Sequence, residues 1–147
     1  MPGQDLFQYH DADGNLRNIG SGDVNDYLAE AAGARFTAKD FRTWHGTVQA
    51  LELTRLACGA ASSPRLDAKG VIAEVARRLD NTAAICRKAY IHPAVLELGR
   101  RLAADETAIE SVWSRSGAAR RKSRGLRAAE WRLLKFLERR CQVRSEP

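Results

Sequence analysis

A lone tyrosine, Tyr90, ends a short basic segment, Ala83-Ala84-Ile85-Cys86-Arg87-Lys88-Ala89-Tyr90, just ahead of Pro93. Two cations, Arg87 and Lys88, precede it, and a polar turn, Asp80-Asn81-Thr82, opens the segment. A phenol among cations near a helix end is well placed to meet a phosphate. Taken alone, the stretch reads more readily as a core tyrosine packed between two helices. An arginine within Phe41-Arg42-Thr43-Trp44 and the asparagine at 81 add to the first reading. Phosphoryl transfer to tyrosine is the chemistry that uses all three. The phenolate attacks a phosphodiester held in line, and the pentacoordinate transition state gathers charge on its non-bridging oxygens. An arginine fork and an amide N–H₂ can each hydrogen-bond one of those oxygens. With enough such donors converging, the reaction requires no metal and no other cofactor.

The neighbours of these three residues carry weaker signals. His45 lies one helical turn from Arg42 and could touch the same phosphate, although a histidine there also fits a polar core position. Lys39, Arg87 and Lys88 read either as solvated charges or as contacts to a nucleic-acid backbone. Asn81 could also cap the helix that follows it, and His92 reads as satisfying a backbone group.

The elements that must position these residues are helical. Asp13-Gly14 is a turn dipeptide between two partly alternating stretches, 6–9 and 16–19, which suits a small hairpin. The Asp11/Asp13/Asn15 spacing is superficially that of a calcium loop, but it lacks the glutamate at the twelfth position. Ser21 is a candidate N-cap for a helix carrying Val24, Tyr27, Leu28 and Ala31, closed by Gly33. Thr37, with Asp40 three residues on, opens a second helix in which Phe41, Trp44, Val48 and Leu51 recur at helical spacing. Gly46 inside that helix costs about 1 kcal/mol relative to alanine, so a packed helix or a ligand is expected to approach closely there. Ser62-Ser63-Pro64 breaks the chain, and Asp67 caps a third helix with Val71, Ile72, Val75 and Leu79 inward. A short fourth helix runs from Ala83 to Ala89, a fifth starts at Pro93, a sixth spans Asp105 to Trp113, and a last one runs from about Arg127 to Arg140. The expectation is a mainly α-helical fold with at most a short N-terminal hairpin. Its organisation reads as a helical core over 1–113, a basic linker over 114–125 and a C-terminal helix over 126–147.

Composition narrows the class of partner. The net charge is +6 over 147 residues. Residues 1–98 hold 11 Lys+Arg and 12 Asp+Glu, whereas residues 99–147 hold 13 and 6. The positive excess therefore sits in the C-terminal third, where a polyanion is attracted. Cys58, Cys86 and Cys141 form no CxxC pair, so neither a zinc site nor a disulfide framework is indicated. No apolar run approaches the roughly 18 residues that span a membrane, and the N-terminus has no signal-peptide pattern. A reducing cytoplasm fits.

Lys39-Asp40-Phe41-Arg42-Thr43-Trp44-His45-Gly46-Thr47 resembles the Lys-Asp-(Phe/Leu)-Arg-Thr-Trp-x-Gly-Thr motif of type IB DNA topoisomerases of the bacterial and poxvirus-like kind. Asp80-Asn81-Thr82 through Arg87-Lys88-Ala89-Tyr90-Ile91-His92-Pro93 resembles that family's second core segment, and the stretches from Pro2 to Tyr9 and from Ile19 to Ser21 are similar to the one that follows its active-site hairpin. The resemblance covers most of residues 2–102. It implies the multi-helical catalytic domain shared by type IB topoisomerases and tyrosine recombinases. It implies Tyr90 as the nucleophile that forms a 3′-phosphotyrosyl bond with one strand of duplex DNA. It also implies Arg42 as the second of two phosphate-clamping arginines, and Asn81, nine residues before Tyr90, as a donor to a non-bridging oxygen. Asparagine does not titrate, so a weaker pH dependence is expected than with the histidine that can hold this position. The intact enzyme would relax supercoils without ATP or metal, as a monomer acting on the bacterial nucleoid.

This chain departs from the family pattern in three places. Asp80 stands where glycine is usual, and Ala83 where proline is usual. The family's first arginine and its lysine general acid come from segments upstream of Pro2, together with an N-terminal lobe that closes around DNA. Lack of a general acid costs about 10²–10⁴-fold, so this chain alone is expected to relax DNA poorly. Two alternatives remain. A tyrosine recombinase or integrase would carry a His-x-x-Arg pair, which His45-Gly46-Thr47-Val48 does not supply. A non-catalytic DNA-binding helical module would bind without forming a covalent adduct.

Overall fold

The computed structural model describes residues 7–59, 67–104 and 125–143. The helix expected over Asp105–Trp113, the basic stretch 114–124 and the Ser62-Ser63-Pro64 break lie outside the described residues. The chain divides into two compact units, Met1–Arg42 and Thr43–Pro147.

The first unit opens with a hairpin. Strands β1 (Gln8–His10) and β2 (Leu16–Asn18) pair antiparallel with Tyr9 opposite Arg17. Asp11 builds the turn. Its Oδ1 accepts from the amides of Asp13 and Asn15 at 3.1 and 2.9 Å, and its Oδ2 accepts from Arg17 Nε at 2.9 Å. Gly14 supplies the positive φ of 82° that the turn needs. Helix α1 (Ser21–Ala32) follows. Its N-cap is Gly20, one residue before the expected Ser21, because the Asp23 carboxylate reaches back to the Gly20 amide at 2.7 Å. Gly33 closes the helix in the left-handed conformation, as expected. No residue of α1 is buried, so the expected apolar stripe of Val24 and Tyr27 is exposed.

Helix α2 (Ala38–Gly59) begins in the first unit and forms the axis of the second. Thr37 and Asp40 make the expected capping box. Thr37 N and Oγ1 both donate to Asp40 Oδ2, at 2.9 and 2.7 Å, and the Asp40 amide returns to Thr37 Oγ1 at 3.4 Å. These hydrogen bonds, with the nearby Lys39 charge, hold the Asp40 carboxyl below its ordinary range. From Gly46 to Thr54 the helix is buried around most of its circumference, as a helix at the centre of a domain must be.

Four further helices and a π-helical turn pack around α2. Asp67 caps α3 (Ala68–Arg78) through the Gly70 amide at 2.7 Å, and Val71, Val75 and Ala76 point inward. Outward-facing Glu74 is bonded first by Arg77 and then by Arg78, which hold its carboxyl at about 2. Helix α4 (Ala83–Ile85) runs straight into a π-helical turn, Cys86–Tyr90. Helix α5 (Pro93–Ala104) turns Val95, Leu98 and Leu102 into the core. Helix α6 (Ala128–Val143) contributes Leu133 and Phe136.

Helix α6 is fastened to α2 by charge as well as by packing. Arg132 bonds both carboxylate oxygens of Glu52, at 2.6 and 2.7 Å, and Arg55 shares the same carboxylate. Partial burial pushes the Glu52 carboxyl up, but the hydrogen bonds and charges of Arg132 and Arg55 outweigh it and hold the group below the usual glutamate range. At the start of α6, Glu130 accepts from the Arg127 amide at 2.7 Å and from Trp44 Nε1 of α2 at 3.3 Å. Among the described residues, no helix is long and apolar enough to cross a membrane.

Candidate active site

The turn before the tyrosine is fixed by the end of α3. Asp80 adopts φ 50°, the one left-handed non-glycine conformation among the described residues. The Asn81 amide donates to Ala76 O at 2.9 Å, and the Asp80 amide to Arg77 O at 3.4 Å. Together these form a Schellman closure with Asp80 in the place that favours glycine. The glycine usual in the resembling family therefore has a backbone reason. Asp80 is exposed, so its charge is solvated rather than buried beside the turn.

Asn81 is half-buried, and its side-chain oxygen accepts from the Thr82 amide at 3.3 Å. Asn81 does not cap the next helix. Thr82 does, accepting from the Ile85 amide at 3.3 Å.

The expected fourth helix over Ala83–Ala89 begins as α and widens into the π-helical turn Cys86–Tyr90. Such turns hold one residue more than an α-turn and arise where tertiary contacts outweigh the poorer helical geometry. Cys86 is fully buried and anchors the turn in the core. Arg87 and Lys88 are exposed. Tyr90 is half-buried and packs against the core. The ring is thus seated like a core tyrosine while part of the side chain keeps access to solvent.

Helix α2 supplies the contacts that hold this turn. The main-chain oxygen of Tyr90 passes so close to Gly46 that a Cβ there would stand 2.7 Å from it and 3.1 Å from Leu79 Cδ1. The close approach expected at Gly46 is therefore made by the tyrosine segment. Thr43 Oγ1 donates to Ala89 O at 3.2 Å. Thr47 Oγ1 accepts from the His92 amide at 3.1 Å and lies 2.7 Å from Thr43 O and 3.4 Å from Tyr90 O. His92 in turn caps α5, its Nδ1 accepting from the Ala94 amide at 3.1 Å.

Asn81, Arg87, Lys88 and Tyr90 thus occupy one continuous run of the second unit. His45 is exposed on α2. Near it the Glu130 carboxyl is held below its ordinary range, first by the Arg127 amide hydrogen bond and then by the Trp44 bond and the Arg127 charge. Lys39 and Arg42 lie on the opening turns of α2, in the first unit, and both are exposed. Sequence reasoning gave no role to Thr43, Thr47 or Glu130. The signal for the threonines was present: two hydroxyls four residues apart bracketing a mid-helix glycine.

The model of a family described as "Eukaryotic DNA topoisomerase I, catalytic core" matches residues 1–112. A protein named "DNA topoisomerase 1B", from Acanthamoeba polyphaga mimivirus, is 33% identical over 107 residues, covering 67% of this chain and 32% of the relative. The chain spans about a third of that relative's length.

Proposed function

Because this chain belongs to the type IB DNA topoisomerase family, we propose that it carries the nucleophile half of a DNA strand-transfer site, with Tyr90 as nucleophile and Arg42 and Asn81 as phosphate donors. The Tyr90 phenolate oxygen attacks the phosphorus of one backbone phosphodiester. A phosphorus–oxygen bond forms to the tyrosine at the 3′ side, and the bond to the 5′-oxygen breaks. The phenol proton leaves to solvent, and the departing 5′-oxygen takes up a proton. Arg42 hydrogen-bonds one non-bridging oxygen as a charged fork, and the Asn81 N–H₂ bonds another. Attack by the 5′-hydroxyl on the phosphotyrosine reverses each step. The covalent bond conserves the energy of the broken one, so religation needs no ATP, and between the two steps a supercoil can swivel out.

The observation that carries this reading is the seating of Tyr90 on α2. The two sequence motifs meet there, with Gly46 and Thr47 of the first against the main chain of the second. Lys39, His45, Arg87 and Lys88 are exposed, and they serve as DNA backbone contacts, with the basic stretch 114–125 adding salt-sensitive, weakly sequence-specific attraction. The acting unit is a monomer working on chromosomal DNA in the cytoplasm. The set Tyr90, Arg42 and Asn81 contains no general acid, and the family resemblance assigns that role, with a first arginine, to other segments. The chain by itself is therefore slow on ordinary DNA.

A substrate that needs no general acid tests this directly. In a duplex with a 5′-bridging phosphorothiolate the leaving group is a thiolate, whose conjugate acid has a pKa of about 8.5, so it departs without a proton. The whole chain is incubated with this duplex in EDTA and denatured in SDS. A covalent protein–DNA adduct is expected, and none with Tyr90→Phe. Salt-sensitive binding without an adduct would make the chain a non-catalytic DNA-binding helical module.

A further inference from the structure

A helical threonine has an ordinary use for its hydroxyl, a bond back to the carbonyl four residues earlier. Thr54 does only this in the described structure, donating to Ala50 O at 2.8 Å from a buried position. Thr47 makes the same back-bond to Thr43 O at 2.7 Å, but its oxygen also accepts from the His92 amide, 45 residues away, at 3.1 Å. Its proton has a second acceptor in Tyr90 O at 3.4 Å. One turn earlier, Thr43 donates to Ala89 O at 3.2 Å. The carbonyls of Ala89 and Tyr90 end a helical turn and have no following turn to accept from. Past them Ile91 is extended, at φ −122° and ψ 123°. The His92 amide starts the next segment. The two hydroxyls therefore hold the chain on both sides of the Tyr90 Cα, and Gly46 lets it lie against the helix.

From this geometry we infer that Thr47, assisted by Thr43, is a positioning residue for the nucleophile: it fixes the main chain that carries Tyr90 and so the direction in which the phenol is presented. This inference rests on the reading of Tyr90 as the nucleophile. A π-turn has an alternative, an α-turn one residue shorter, which would rotate the last side chain by about 100° about the helix axis. The clamp on the Ala89 and Tyr90 carbonyls and the His92 amide holds the wider turn.

The test compares single-turnover cleavage of the phosphorothiolate duplex at saturating DNA with DNA affinity, in the whole chain. Thr47→Val keeps the shape and removes the hydroxyl. It is expected to slow cleavage about 10–100-fold, the scale of an ångström of misplacement, while DNA affinity stays within about threefold. Thr47→Ser, which restores the hydroxyl, recovers most of that loss. Thr54→Val, which removes the matched back-bond alone, leaves cleavage unchanged. Thr43→Val, a milder variant should Thr47→Val not fold, slows cleavage several-fold at unchanged affinity. Equal rates for wild type and the Thr47→Val and Thr43→Val variants overturn the inference, as does a Thr47→Ser variant as slow as Thr47→Val. Absence of an adduct with wild type instead overturns the nucleophile assignment on which the inference rests.

Discussion

The carbonyl oxygen of Tyr90 lies over Gly46, where even a methyl group would stand 2.7 Å from it. The approach is made by backbone, so a neighbouring side chain cannot simply swing away. Gly46→Ala should gain about 1 kcal/mol of helix propensity and lose more to overpacking, typically 1–3 kcal/mol. A lower urea midpoint at unchanged m-value is expected. Cleavage should fall with it, because the displaced atoms belong to the tyrosine segment.

Asp80 offers the opposite change. At φ 50° it occupies a conformation that costs an ordinary residue about 1–2 kcal/mol and glycine nothing. Asp80→Gly gives back part of that through the freer unfolded chain. A net gain of about 0.5–1 kcal/mol in equilibrium unfolding is expected, with tighter DNA binding as one exposed negative charge is removed.

Much of this architecture was legible in the sequence, and the failures have local causes. Thr37 with Asp40, Asp67 and Gly33 marked helix ends correctly because each makes its hydrogen bonds to its own neighbours. Gly20 and Ser21 are both able caps, and the Asp23 carboxylate, three residues past Gly20, decides between them. Asn81 is a poor guide for a similar reason, since the Schellman closure occupies its main chain and leaves capping to Thr82. The π-turn was not legible. Nothing in Cys-Arg-Lys-Ala-Tyr asks for an extra residue, and the threonine hydroxyls and glycine surface that receive it lie more than 40 residues earlier. Trp131, on the last helix, is half-buried, with the Lys135 ammonium 4.6 Å from its ring.

Glu52 ties the C-terminal helix to α2 and gives the fold a pH signature. Its folded-state pKa lies below the ordinary glutamate value of 4.5. The stabilisation is complete above that value and is lost as the pH falls through the lower, folded one. Glu52→Gln should cost about 1–3 kcal/mol at pH 7, the range for a hydrogen bond to a charged group. The gap between variant and wild type should narrow as the pH falls below the glutamate range. Chemical denaturation at pH 7, 5 and 3 measures it, and a gap independent of pH would contradict the ion-pair account.

Arg42 and Asn81 divide the transition-state charge in the proposed reaction. Arg42→Ala is expected to slow single-turnover cleavage about 10²–10³-fold. Arg42→Lys should recover only part, since lysine keeps the charge but not the fork. Asn81→Ala should cost less than Arg42→Ala, because a neutral donor makes the weaker bond. Asparagine carries no proton to lose, so wild-type cleavage between pH 6 and 8 should show no inflection from this position.

In the proposed reaction one particular tyrosine takes the DNA, and the sequence makes that tyrosine easy to identify. The three tyrosines, Tyr9, Tyr27 and Tyr90, fall in three different tryptic peptides, and the one from Ala89 to Arg100 contains no serine, threonine or cysteine. The adduct formed on the phosphorothiolate duplex is digested with nuclease and trypsin, and the peptide carrying the residual nucleotide is identified by mass spectrometry. The added mass is predicted on Ala89–Arg100, at Tyr90. A nucleotide on the Tyr9 or Tyr27 peptide, or an adduct that persists in Tyr90→Phe, would contradict the assignment.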